Sequence, residues 1–150
     1  MGEALLSNFA DDNTFTAVGK TIQNVTSILE REAEKAITWF ESNFMKANTS
    51  KFKFMILNMD NPSEVQIMVR GTTLKSEQSV KLLGVTIDSK LNFDLHIVNL
   101  CKKASCQMNV VMRLKRILDT NVKLAIFKSF ILSNFRYCSV IYHFCTRSNY

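Results

Sequence analysis

Asp11 and Asp12 stand side by side in Phe9-Ala10-Asp11-Asp12, between the apolar pair Leu5-Leu6 and the β-prone run Thr14-Phe15-Thr16-Ala17-Val18. Adjacent carboxylates repel each other. The cost is low in solvent, and the arrangement is useful where a divalent cation sits. A strand–Asp-Asp–strand unit can point hard oxygen donors at Mg2+, the cation that favours them. The chemistry this suits is phosphoryl or nucleotidyl transfer, in which two metal ions clamp the attacking and leaving oxygens. The same dipeptide also suits an exposed turn or a helix cap, because Asp bonds nearby backbone groups and tolerates left-handed geometry.

A second set of chemically capable residues is basic. A helix expected from Asn92, a suitable N-cap, carries an apolar stripe of Ile97, Leu100, Cys101, Ala104, Met108, Val111, Met112 and Leu118. Lys102, Asn109, Arg113 and Arg116 line another face, with Lys103 and Lys115 beside it. Such a face tracks phosphates without reading sequence; a solvated surface is the alternative. The net charge of +6 is unevenly spread: residues 1–50 hold four basic and seven acidic side chains, residues 101–150 nine and one. An acidic start and a basic end fit a protein that holds a phosphate backbone at one end and cations at the other.

The elements that must position these residues read as hairpin, helix, strands, then helices. With 150 residues, one proline and four glycines, the chain suits one domain or two small subdomains with few breaks. Ile22, Val25, Leu29, Ala33, Ala36, Ile37, Phe40 and Phe44 recur at helical spacing from about Thr21 to Met45. This stripe is expected to pack on the strands, with Trp39 in the core. Phe52–Leu57, Val65–Val69 and Val80–Ile87 read as strands, the first two joined by a turn over 58–63. Gly84, inside the last, marks a bulge or a close backbone approach. Val122 to Phe144 is apolar almost all round, yet Lys123, Lys128, Asn134 and Arg136 interrupt it. A buried helix pair is expected there rather than a membrane span. Cys101, Cys106, Cys138 and Cys145 fit no zinc-ligand spacing. With no secretory signal, reduced thiols and an intracellular location, nucleus or cytoplasm, are expected.

Taken in order, these motifs resemble reverse transcriptases of non-LTR (LINE-type, jockey-like) retrotransposons over nearly the whole chain. Leu6–Thr14 resembles the [Phe/Tyr]-Ala-Asp-Asp catalytic hairpin. Trp39, Asn43, Met45, Asn48 and Lys51, followed by the run to Leu57, are similar to the palm motif that comes next. Val80–Asp88, with Leu83-Gly84, resembles the primer-grip strand. Leu91–Ile97, followed by Lys102-Lys103-Ala104, resembles the start of the thumb.

The resemblance implies an α+β fold, with a partial palm over 1–88 and a helical thumb over 89–150. It implies RNA-templated DNA synthesis with Mg2+ in an intact parent enzyme, acting on a deoxynucleotide, an RNA template and a DNA primer. Asp11 and Asp12 would hold metal, and Leu83 and Gly84 would contact the primer terminus. Lys102, Lys103, Arg113, Lys115 and Arg116 would grip the RNA–DNA hybrid. Lys51 would approach the nucleotide as a general acid; Phe52 stands where the family has threonine, and a solvated lysine is the other reading. The family's fingers and upstream catalytic aspartate would precede Leu5, so the chain is expected to be inactive alone. A non-catalytic nucleic-acid-binding module, or a relic of a decayed element, is the alternative.

Overall fold

The structure is a computed structural model that describes residues 4–59 and 64–144. It is an α+β chain of helices and small antiparallel hairpins, divided into two compact units, residues 1–78 and 79–150.

In the first unit, β1 (Ala4–Phe9) and β2 (Asp12–Ala17) pair antiparallel, from Ala4 opposite Ala17 to Phe9 opposite Asp12. That register leaves Ala10-Asp11 as a two-residue connection, with Ala10 at φ 52°. A Gly-free turn of this kind strains the backbone, because a Cβ is crowded in the left-handed region. Helix α1 (Ile22–Ser42) comes next, started by Thr21, whose Oγ1 accepts the Asn24 N–H at 3.2 Å. It ends at Asn43, whose side-chain amide donates back to the Trp39 carbonyl at 2.8 Å.

The expected stripe holds in its middle: Ile37 is buried and joins Phe54, Ile67 and Val69 in a core bordered by Leu29, Ala33, Phe52 and Leu74, whereas Ile22 and Phe44 at its ends are exposed, and Ile28, outside the stripe, is buried. β3 (Gln66–Val69) and β4 (Thr72–Lys75) form a hairpin beside α1. The tight turn Arg70-Gly71 has positive φ at both residues, the geometry that matches hairpin twist.

In the second unit, β5 (Ser79–Leu82) and β6 (Val85–Asp88) pair from Ser79 opposite Asp88 to Leu82 opposite Val85. Helix α2 (Asp94–Arg113) packs Ile97 against Val85 and Ile141, with Ile87, Phe93 and Tyr142 around them. The loop between β6 and α2 is organised by Asp88. Its carboxylate accepts backbone N–H groups of Lys90 and Asn92 at 3.1 Å and of Phe93 at 2.7 Å. Beyond α2, helix α3 (Thr120–Ile126) starts at Asp119, whose Oδ1 accepts the Val122 N–H at 2.9 Å. It continues through a π-helical stretch, Phe127–Leu132, into α4 (Ser133–Arg136). A 3₁₀ turn over Ser139–His143 then sets Ile141 into the core. No helix among the described residues is long and apolar enough to cross a membrane.

Several expectations are corrected. The strands over the region expected as a partial palm, with the hairpin at 79–88, form three separate two-stranded sheets. Phe52–Leu57 contributes only a parallel bridge between Phe54 and Ser76, because Phe52 and Phe54 are spent as separate anchors in the core. Val80–Ile87 is a hairpin rather than one strand, and Gly84 sits in its turn. Trp39 is 58% exposed and meets Phe40 edge to face, since the buried side of α1 runs through Ile28 and Ile37, away from it. The cap of α2 is Phe93, not Asn92; Asn92 Oδ1 instead accepts the Asp94 N–H. The 122–144 segment is a continuous helix that changes pitch, then a 3₁₀ turn, rather than a helix pair. The turn expected over 58–63 lies in part outside the described residues, as does Cys145.

Candidate metal and nucleic-acid site

The turn between β1 and β2 presents the acidic pair. Asp11 is the second turn residue and Asp12 opens β2 opposite Phe9. Both are exposed. Among the described residues neither carboxylate has an ion-pair or hydrogen-bond partner; the turn's own bond runs from the Asn13 side-chain amide to the Asp11 backbone carbonyl. Phe9 is 65% exposed beside them, and Leu5 slightly more so.

Two exposed carboxylates suit Mg2+ in donor type, since this ion takes one or two carboxylates and completes its shell with water and phosphate oxygens. As a protein cage they are incomplete. Among the described residues no group of three or more His, Cys, Asp or Glu side chains could hold a metal. When bound, the ion would supply charge stabilisation to phosphate oxygens; the hairpin supplies oxygen donors on a turn fixed by six paired residues on each side.

Lys51 ends a short 3₁₀ turn, Thr49–Lys51, instead of opening a strand. The turn is set by Asn48, whose Oδ1 accepts the Ser50 N–H at 3.1 Å. Lys51 is exposed, and no hydrogen bond or ion pair joins it to Asp11 or Asp12.

Leu83 and Gly84 form the β5–β6 turn, at φ 47° and 86°. Both residues are exposed, and they make a hairpin turn rather than a bulge in a strand. The Leu83 carbonyl accepts a hydrogen bond from the Tyr137 hydroxyl at 2.5 Å. Tyr137 was not legible as a site residue: it lies 54 positions away, within an apolar run where one more aromatic reads as core.

The basic residues divide. Lys102, Lys103 and Arg113 lie on α2, all exposed. Lys115 and Arg116 fall in the turns after Arg113, where the helix ends with Leu114, so the stripe is shorter than the sequence spacing implies. Among the described residues none of the five pairs with a carboxylate. They stand free for an external anion. By contrast, the acidic side chains of α1 are engaged: Glu32 bonds Lys35 and Arg31, which hold its carboxyl below the usual range.

His96 is a further residue with a specific job. Its Nδ1 accepts the Thr86 N–H at 3.2 Å, tying α2 to β6, and burial pushes its pKa below the ordinary value. Cys101, Cys106 and Cys138 are free, exposed thiols. No protein-family model, curated protein or solved structure matches the chain.

Proposed function

We propose that this chain is the catalytic-hairpin-to-thumb portion of an RNA-directed DNA polymerase of a non-LTR retrotransposon. In this reading it contributes metal-binding carboxylates and a hybrid-binding surface to nucleotidyl transfer in the intact enzyme, and does not polymerise alone. The observation that carries the reading is the β1–β2 hairpin, which holds Phe9-Ala10-Asp11-Asp12 at its tip with both carboxylates exposed and unpaired. An exposed pair of this kind is tolerated in water, and it gains a use where a divalent cation visits it and brings phosphate oxygens with it. The free cations of and after α2 support a phosphate partner. Inactivity alone is supported by the donor count: two carboxylates with no third ligand clustered among the described residues.

The roles divide by residue. Asp11 and Asp12 accept the cation. Phe9 and Ala10 hold the tip of the hairpin against the primer end. Leu83 and Gly84 offer backbone to the primer terminus, and Lys102, Lys103, Arg113, Lys115 and Arg116 neutralise phosphates along the RNA–DNA hybrid. A non-catalytic nucleic-acid-binding module is the second reading, favoured by the incomplete donor set.

The test is binding of an RNA–DNA hybrid by the 150-residue chain, measured by fluorescence anisotropy over a salt series. Affinity is expected to fall with salt. Arg113→Ala is expected to reduce the slope by about one, and Asp11→Ala to leave affinity unchanged without Mg2+. Salt-independent or absent binding overturns the reading. Primer extension by the isolated chain with Mg2+ and deoxynucleotides would instead overturn its incompleteness.

A further inference from the structure

We infer that Tyr137 is a positioning residue that latches the Leu83-Gly84 turn into its left-handed shape; its role toward nucleic acid rests on the reading of that turn as a primer contact. Leu83 is a poor occupant of its position. At φ 47° its Cβ is crowded by the backbone, whereas Gly84 at φ 86° bears no such penalty. Hairpins of this twist favour Asn-Gly, and Leu-Gly needs outside support.

Tyr137 supplies it from two directions. Its hydroxyl donates to the Leu83 carbonyl, and its ring lies 3.6 Å from the point where a Cβ on Gly84 would stand. The ring is anchored where the chain leaves α4: Tyr137 caps that helix, its N–H bonded to the Ser133 carbonyl, and Cys138 then turns to φ 50°. A change at the end of α4 therefore reaches the turn through one side chain.

The test compares the full chain with Tyr137→Phe, which keeps the ring and loses the donor. Amide hydrogen exchange at Leu83, Gly84 and Val85 is expected to quicken at least fivefold while circular dichroism is unchanged. Adding Leu83→Asn, which tolerates left-handed geometry, is expected to restore slow exchange. Affinity for the hybrid is expected to fall about fivefold with the salt slope unaltered. Unchanged exchange in Tyr137→Phe, or failure of Leu83→Asn to rescue it, overturns the latch. Faster exchange with unchanged affinity overturns its role toward nucleic acid. If the unaltered chain binds no hybrid, the functional reading falls while the exchange data still decide the latch. Should Tyr137→Phe not fold, the double variant Tyr137→Phe/Leu83→Asn decides it: recovery of folding supports the latch, and continued failure to fold overturns it.

Discussion

His96 and Asp88 show how single side chains tie the hairpin β5–β6 to helix α2 and the loop before it. The Nδ1 of His96 accepts the Thr86 N–H, which requires a neutral imidazole. Burial lowers its pKa from the ordinary 6.5, so the folded state binds fewer protons than the unfolded one. The stability His96 confers is complete above its unfolded pKa and is lost as pH falls through 6.5 toward the lower folded value. Urea unfolding measured at pH 7.5 and again one and two pH units lower is expected to show this loss, and His96→Gln to flatten it. An unchanged slope in His96→Gln would place the pH dependence elsewhere. Asp88 satisfies three backbone donors in the loop before α2. Asp88→Ala strands them, and is expected to cost about 2 kcal/mol, a typical toll for charged hydrogen bonds removed from partly buried donors. Asp88→Asn, which keeps acceptors, is expected to recover part of it. Neither role was legible from residue type alone. Asp88 read as the end of a strand and His96 as part of a helix start, because their partners are backbone groups brought near only by the fold.

At the scale of elements, periodicity revealed what is amphipathic and missed what is held by turns. The 21-residue helix α1 was legible from its stripe to within three residues at either end, since apolar spacing is a local signal. β4 was missed, and β5–β6 was read as one strand, because both hairpins turn on two residues. Arg70-Gly71 and Leu83-Gly84 each place a bulky residue in the left-handed region, where sequence preference looks for Asn or Gly. Arg70 is tolerated because α1 receives it. The Glu30 and Glu34 carboxylates accept the Met68 and Arg70 N–H groups at 2.8 Å along the edge of β3. The Arg70 guanidinium, in turn, meets Glu34 at 3.2 Å and Glu41 at 2.6 Å. The helix thus covers a strand edge that would otherwise be open to pairing with another chain. Glu34→Ala removes an edge acceptor and half of the Arg70 clamp together. The expected result is a loss of about 1–2 kcal/mol, less than for a buried pair because these side chains are substantially exposed. Faster hydrogen exchange at Arg70 would accompany it. Ile37→Ala, in the core beneath, is expected to cost more, about 2–5 kcal/mol, read as a lowered urea midpoint at constant m-value. The acidic hairpin was the most legible part of the candidate site because its strands, turn and carboxylates are contiguous; the basic set was overdrawn because helix spacing was extended past Arg113.

Over the whole molecule, two surface properties pull in opposite directions along one experimental axis. The chain carries +6 overall, concentrated in its last third, so copies repel one another at low salt. It also leaves many large apolar side chains open, among them Leu5, Phe9, Phe130, Val140 and Phe144. Apolar surface in this amount is a mark of interaction faces or of an aggregation hazard, and its attraction does not weaken when charges are screened. Raising salt therefore removes the repulsion and keeps the attraction, while it competes directly with phosphate binding. Sedimentation of the chain over a salt series is expected to show average mass increasing, in the same range where hybrid affinity decreases. If association instead weakens with salt, the contacts between copies are ionic, with the acidic first third meeting the basic last third, and the exposed apolar side chains are not what joins them. If neither property responds to salt, the basic residues are a solvated face and the proposed hold on a phosphate backbone fails with them.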